Sequence, residues 1–224
     1  MNSKKIKINK NKPTIFFDMD GTLYSFKTGS FGKSLLKKKI TQNALLFLVS
    51  TLKVSNIEAK IILKEIEKKY GENISIGLEE EYDIPRDIYF NTVWNIKAKD
   101  IIKYDKKIKN LMISLKKKYN LFIVSDSPRV WLINALKEMN VYYELKNTLI
   151  NGEGKYRKVF NNQFRYIIKK YNLKANNCIS IGDQEKTDII PAKRLGMKTI
   201  LIGKNKSKYA NFTVSNIKNI TKII

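Results

Sequence analysis

The chain has 224 residues, 43% hydrophobic and 29% charged. That is enough to bury a core in one domain with an insertion or in two small domains, and too apolar for wholesale disorder. Lys and Arg total 44 against 20 acids, a formal charge of +24, while a single cysteine, Cys178, and the absence of His exclude an intramolecular disulfide, His-based triads and His-liganded zinc.

Residues 1–12 are polar and Lys-rich, like the start of a signal peptide. The apolar run that follows, Ile15-Phe16-Phe17, is too short for a signal core and stops at Asp18-Met19-Asp20. It reads instead as a buried strand closed by a turn. From about Phe26 to Asp105 the pattern is mostly helical. Ser55 and Glu58 form a capping box, Ile61, Ile62, Ile66 and Tyr70 follow at helical spacing, and Gly71 is the expected stop. After Asp105 the character changes. A basic amphipathic helix (Ile108, Leu111, Met112, Leu115) leads into a strand at Leu121-Phe122-Ile123-Val124. Ser127-Pro128 starts a helix with Pro at its first position, and a short strand falls at Leu149-Ile150. A helix is expected over 160–171, a strand over 178–181 ending in Gly182-Asp183, and a helix over 190–195 closed by Gly196. Thr199-Ile200-Leu201-Ile202 is a further strand, and 212–214 an edge strand.

Strands alternating with helices predict an α/β fold, a Rossmann-like parallel sheet covered on both faces. In such sheets chemistry gathers at the carboxyl ends of the strands. Asp18, Ser125 and Asp183 each follow an apolar run directly, so three strands deliver a polar group to one edge. Asp18 and Asp20, two apart at a strand end, point to the same side. Two carboxylates in one small site repel unless compensated, and a hard divalent cation such as Mg²⁺, which prefers oxygen ligands, does so. An Asp-rich turn closing a strand accounts for one Asp and the Gly, but not for the matching residues downstream.

These residues resemble the four motifs of the haloacid dehalogenase-like (HAD) superfamily of Mg²⁺-dependent phosphotransferases. Asp18-Met19-Asp20-Gly21-Thr22 is similar to the first, Ser125 to the second, Lys158 in Tyr156-Arg157-Lys158 to the third, and Gly182-Asp183 followed by Asp188 to the fourth. The resemblance covers about residues 13–214. It implies a HAD-like core of residues 1–25 and 106–224, with a helical cap at 26–105 inserted between the first and second motifs. Leu23-Tyr24-Ser25, Tyr70-Gly71, Gly77-Leu78, Tyr82-Asp83-Ile84 and Tyr104-Asp105 also resemble the pyrimidine 5′-nucleotidase branch.

The resemblance further implies roles. Asp18 is the nucleophile that forms an aspartyl-phosphate, and Asp20 gives a proton to the leaving alcohol and then activates water. Mg²⁺ is held by the Asp18 carboxylate, the Asp20 backbone carbonyl and the Asp183 carboxylate, with Asp188 orienting Asp183 or the metal's waters. Ser125 hydrogen-bonds a phosphoryl oxygen, and Lys158 neutralises Asp18 and the phosphate. Each residue has a plainer reading. Lys158 is one of 39 lysines, with Lys155 and Arg157 as its fallbacks; Ser125 would cap the next helix; Asp188 would be an acid favoured at a helix N-terminus. Two residues depart from the usual pattern. Asp126 stands where relatives carry Asn, and would repel a phosphate unless it turns away to cap the helix after Pro128. Val159 stands where many have Pro. In the insertion, Tyr82, Arg86, Tyr89, Phe90, Asn91 and Trp94 could stack on or read a base, or could simply pack helices together.

The expectation is a cytoplasmic, Mg²⁺-dependent phosphomonoester hydrolase, monomeric or homodimeric. Its substrate would be a small phosphorylated metabolite such as a pyrimidine nucleoside 5′-monophosphate. The alternatives are a phosphatase for a sugar phosphate or phosphoglycolate, a nucleic-acid end-processing phosphatase, and a non-catalytic protein keeping the fold. The charge weighs little for nucleic acid. Only five of the 44 basic residues are Arg, the residue that grips phosphate and bases, and the abundance of Lys, Ile and Asn fits an AT-rich coding composition. No segment reaches the about 18 apolar residues of a membrane span.

Overall fold

A computed structural model describes residues 8–154, 157–158, 162–204 and 206–224. The first residues of the chain, the Lys155 fallback, Val159 and the start of the 160–171 helix lie outside that set. The chain divides into two compact units, residues 1–26 with 102–224, and residues 27–101.

The first unit is a six-stranded sheet with every neighbouring pair parallel, in the order β3-β2-β1-β4-β5-β6. The strands are β1 (Thr14–Phe17), β2 (Asn120–Val124), β3 (Leu149–Ile150), β4 (Cys178–Gly182), β5 (Lys198–Ile202) and β6 (Phe212–Val214). Central strands of a sheet covered on both faces are near-continuous apolar runs rather than alternating ones. β1 is buried at every position, β4 likewise, and β2 at all but its first residue. Phe16 meets Phe122 edge-on at 5.4 Å and Phe164 at 6.0 Å, all three with at most 1% of their surface exposed. Cys178 lies in the same cluster and donates its S–H to the Lys174 carbonyl.

The connections in this unit are helices α5 (Lys106–Lys118), α6 (Arg129–Glu138), α7 (Tyr142–Leu145), α8 (Asn162–Tyr171) and α9 (Ile190–Arg194), numbered after the four of the second unit. α5 buries Ile108, Leu111, Met112 and Leu115, the stripe its periodicity predicts, and is capped by the Asp105 side chain on the Lys107 N–H. Pro128 takes the N-cap of α6 rather than its first helical position, because its ψ of 154° is extended. A π-helical turn at Glu185–Ile189 precedes α9; the sequence periodicity did not foresee it.

The second unit is helical: α1 (Leu35–Leu52), α2 (Asn56–Tyr70), α3 (Ile74–Tyr82) and α4 (Arg86–Val93). The capping box of Ser55 and Glu58 is formed, and Gly71 ends α2. Tyr89 is buried and packs on Phe47 at 5.8 Å, and Arg86 donates to the Ser75 hydroxyl and stacks over Phe90, so these residues hold the helices to one another. Asn91 is exposed and Trp94 and Tyr82 are half-buried. Among the described residues no helix is long and apolar enough to cross a membrane.

Phe16 sits at the centre of the sheet's aromatic cluster, so its loss leaves a cavity in a close-packed interior. Phe16→Ala should cost about 3–5 kcal/mol of stability. Urea unfolding of the variant followed by circular dichroism measures this, and a loss below about 1 kcal/mol would mean the cluster is loosely packed.

Candidate functional site

Three neighbouring strands end on the site. β1 is paired with β2 on one side and β4 on the other, with Phe17 opposite Ile123 and Ile181. The residues just beyond the three strands, Asp18, Ser125 and Asp183, therefore emerge along one edge of the sheet. The Asp18 N–H bonds to the Ile181 carbonyl at 2.9 Å, which extends the β1–β4 ladder to the first site residue.

Lys158 is the cation that meets these acids. It is 3% exposed, and its Nζ lies 2.6 Å from Asp18 Oδ1 and 2.6 Å from Asp188 Oδ1. Burial pulls the Lys158 pKa down, but Asp18, Asp188 and Asp126 outweigh it and hold the amine protonated well above the ordinary lysine range. Asp18 also accepts the Thr22 hydroxyl at 2.8 Å. Asp188 accepts the Gln184 N–H at 3.0 Å across the π-helical turn, whose wide loop brings its carboxylate back toward the strand end. Asp188 is thus a ligand-range neighbour of Asp18 and not only a support for Asp183.

Carboxylate oxygens of Asp18, Asp183 and Asp188 lie within 4.8 Å of one another, a spacing that could hold a metal ion. Two glycines leave room for them. A Cβ on Gly182 would fall 2.2 Å from the Asp188 carboxyl carbon, and one on Gly21, whose φ is +94°, 2.3 Å from Asp183 Oδ2. Burial, followed by repulsion from Asp18 and Asp188, pushes Asp183 up to about 8. Burial pushes Asp188 up to about 6 against the pull of Lys158. Lys158 is the cation set against these acids. An all-oxygen, over-acidic set of this kind fits a hard divalent cation such as Mg²⁺.

Asp20 belongs to a different environment. Its Oδ1 accepts from the Tyr24 hydroxyl at 2.5 Å and from Trp131 Nε1 at 2.7 Å, and its Oδ2 from the Ser127 hydroxyl at 2.6 Å. Burial raises its pKa, the three donors oppose that, and Asp18 adds to it. Sequence reasoning assigned no role to Thr22, Ser127 or Trp131, and took Tyr24 only as part of a branch resemblance. Their polar atoms are brought together by the fold, and spacing carries no signal of it.

Ser125 is 2% exposed, and its Oγ accepts the Ser127 N–H at 3.1 Å. It closes a turn and does not cap α6, so its own hydrogen remains for another acceptor. The Asp126 side chain does not cap α6. Its Oδ1 accepts the Lys158 N–H at 3.2 Å and lies 3.7 Å from Arg157 Nε, while the first N–H of α6 is met by Glu153 at 2.8 Å. The departure at 126 thereby anchors the segment that carries Lys158.

A family model described as haloacid dehalogenase-like hydrolase matches residues 12–196. The chain is 26% identical to a glyceraldehyde 3-phosphate phosphatase of Methanocaldococcus jannaschii, over 94% of this chain and 96% of that protein. It is 25% identical to a glyceraldehyde 3-phosphate phosphatase of Pyrococcus furiosus, over 94% of this chain and 92% of that one. A HAD phosphatase from Thermococcus onnurineus has a similar fold, with a TM-score of 0.64 at 20% identity, covering 94% of this chain and 97% of that structure.

The raised carboxyls give a signed prediction. Between the ordinary 3.8 and about 8 the folded chain keeps a proton on Asp183 that the unfolded chain releases. Without metal, stability therefore falls as pH rises through that window. A Mg²⁺ ion held by this cluster would bind its ionised form, and should therefore raise the melting temperature over an EDTA control more at pH 8 than at pH 5. An equal shift at both pH values would place Mg²⁺ elsewhere.

Proposed function

The chain belongs to the haloacid dehalogenase-like hydrolase family, and from that premise we propose that it is a Mg²⁺-dependent phosphatase of small sugar phosphates, with a triose phosphate such as glyceraldehyde 3-phosphate its first candidate. The observation that carries the chemistry is the pairing of Asp18 with Lys158 at 2.6 Å inside a cluster of excess carboxylates. The substrate class rests on the two relatives, both glyceraldehyde 3-phosphate phosphatases. They lend nothing to the pyrimidine-nucleotide reading. Residues 27–101 are proposed as the cap that reads the leaving group.

Asp18 attacks phosphorus and takes the phosphoryl group. Its Oδ1 is held by Lys158 and its Oδ2 by Thr22, so both oxygens are fixed before substrate arrives. Asp18, Asp183 and Asp188, with the Asp20 backbone carbonyl, would hold Mg²⁺, which supplies positive charge against the carboxylates and the phosphoryl oxygens. Lys158 adds its own charge to the transferring group, and Ser125 gives it a hydrogen bond. Asp20 carries the proton, first to the leaving oxygen and then back from the attacking water. Asp126 holds Lys158 in register through its backbone.

The test is phosphate release from triose phosphates, other sugar phosphates, phosphoglycolate, nucleoside monophosphates and 5′- or 3′-phosphorylated oligonucleotides. Release from sugar phosphates should need Mg²⁺, vanish in EDTA and fall at least ~10³-fold in Asp18→Asn. Preference for a nucleoside monophosphate or an oligonucleotide end would overturn the substrate class and leave the mechanism. Activity that survives Asp18→Asn would overturn the mechanism.

A further inference from the structure

The three donors on Asp20 are distributed unevenly. Oδ1 takes two, from Tyr24 and Trp131, and Oδ2 takes one, from Ser127. A carboxylate oxygen offers two lone-pair directions, so Oδ1 is filled and Oδ2 keeps one open. The donor from Trp131 cannot reverse its role there. An indole N–H only donates. The Tyr24 hydroxyl can donate or accept, and in the structure it donates to Oδ1. The backbones of Asp20 and Tyr24 are also bridged to each other.

Trp131 is fully buried, as are its α6 neighbours Leu132, Ala135 and Leu136. The hydrophobic body of the helix would be served as well by Phe. The indole N–H is the part that packing does not need, and in a buried setting it must find an acceptor. It finds one 111 positions away in sequence, on Asp20.

We propose that Tyr24 and Trp131 are positioning residues that lock Oδ1 of Asp20, so that Oδ2, beside Ser127, is the oxygen that gives and receives the proton. This rests on the reading of Asp20 as the proton carrier. In the first step Asp18 forms its bond to phosphorus and the bond from phosphorus to the substrate's bridging oxygen breaks. That oxygen keeps the electron pair and takes the proton from Oδ2, leaving as a neutral alcohol. In the second step a water oxygen bonds to phosphorus and passes a proton to Oδ2. The bond between phosphorus and Asp18 breaks with its pair returning to Asp18. Water is the only co-reactant. A carboxyl group free to rotate would present either oxygen; one clamped at Oδ1 presents the same oxygen in both steps.

The test separates proton donation from general damage by varying the leaving group. A poor leaving group, such as the alkyl oxygen of glyceraldehyde 3-phosphate, needs the proton; the p-nitrophenolate of p-nitrophenyl phosphate leaves without it. Values of kcat/KM, which report the steps through phosphoryl transfer to Asp18, would be measured for both substrates in Trp131→Phe, Tyr24→Phe and Asp20→Asn, with melting temperatures to confirm folding. Asp20→Asn should lose about 10²–10⁴-fold on the alkyl substrate and far less on the aryl one. Trp131→Phe and Tyr24→Phe should each lose at least ~10-fold on the alkyl substrate and under ~3-fold on the aryl one. If Asp20→Asn shows the selective loss while both clamp variants lose equally on the two substrates, or lose nothing, the clamp is overturned and the role of Asp20 stands. If Asp20→Asn itself shows no selectivity, the role of Asp20 fails and the clamp with it. Tyr24→Phe keeps the test open should Trp131→Phe not fold.

Discussion

The site is organised by an imbalance of charge. The carboxyl ends of β1 and β4 and the π-helical turn that follows deliver Asp18, Asp183 and Asp188 into one small volume, where Lys158 lies 2.6 Å from two of them. Removing an ammonium from water is costly, and only close opposite charges with good geometry make up for it. The rest of the site can be read as arrangements that make this tolerable. Gly21 and Gly182 give up their side chains so that two carboxylates fit. Thr22 bonds to Asp18, the Gln184 N–H to Asp188, and Asp126 pins the backbone of Lys158. The charge left over is what makes a divalent cation a natural occupant.

Two aspartates two residues apart are treated in opposite ways. Asp18 faces a full positive charge and one hydroxyl, whereas Asp20 faces only neutral donors from Tyr24, Ser127 and Trp131. Placing titratable groups in contrasting surroundings is a general way of dividing acid from nucleophile within one site. Here the division follows from chain geometry. Asp18 is bonded through its N–H to β4 and through its carboxylate to Lys158, whereas Asp20 meets Ser127 and Trp131, from the turn and helix that follow β2.

The fold was legible because its strands are short, mostly apolar runs, and because β1, β2 and β4 lead directly into the polar residues Asp18, Ser125 and Asp183. Asp18, Ser125 and Asp183 could be found from that alone. Lys158 could not be told from 38 other lysines by its own surroundings in the sequence; it became visible only through its resemblance to the third motif of the family. Other features are set by three-dimensional contact and leave no trace in spacing. Trp131 reads as one more apolar position of an amphipathic helix, and its N–H acquires meaning only when α6 is laid beside the turn after β1. Asp126 reads as a liability until the Lys158 N–H is seen on it. The π-helical turn was missed because the apolar pattern resumes at Ile189 and Ile190 as it would after an ordinary loop. Substrate choice was the least legible feature. Of the residues that could read a base or simply pack helices together, Tyr89 is spent on packing.

The chain's single thiol has a practical bearing. Cys178 opens β4, is 1% exposed, and donates to the Lys174 carbonyl. Burial pushes it up to about 12, so at neutral pH it is almost entirely the unreactive thiol form. Maleimides and other alkylating probes should pass over the native protein. A cysteine introduced on an exposed face of α2, for example, would then be the sole point of attachment for a spin label or fluorophore, with no need to remove the natural one. The sheet that builds the site thus leaves a silent background against which a label on the helical unit can be read.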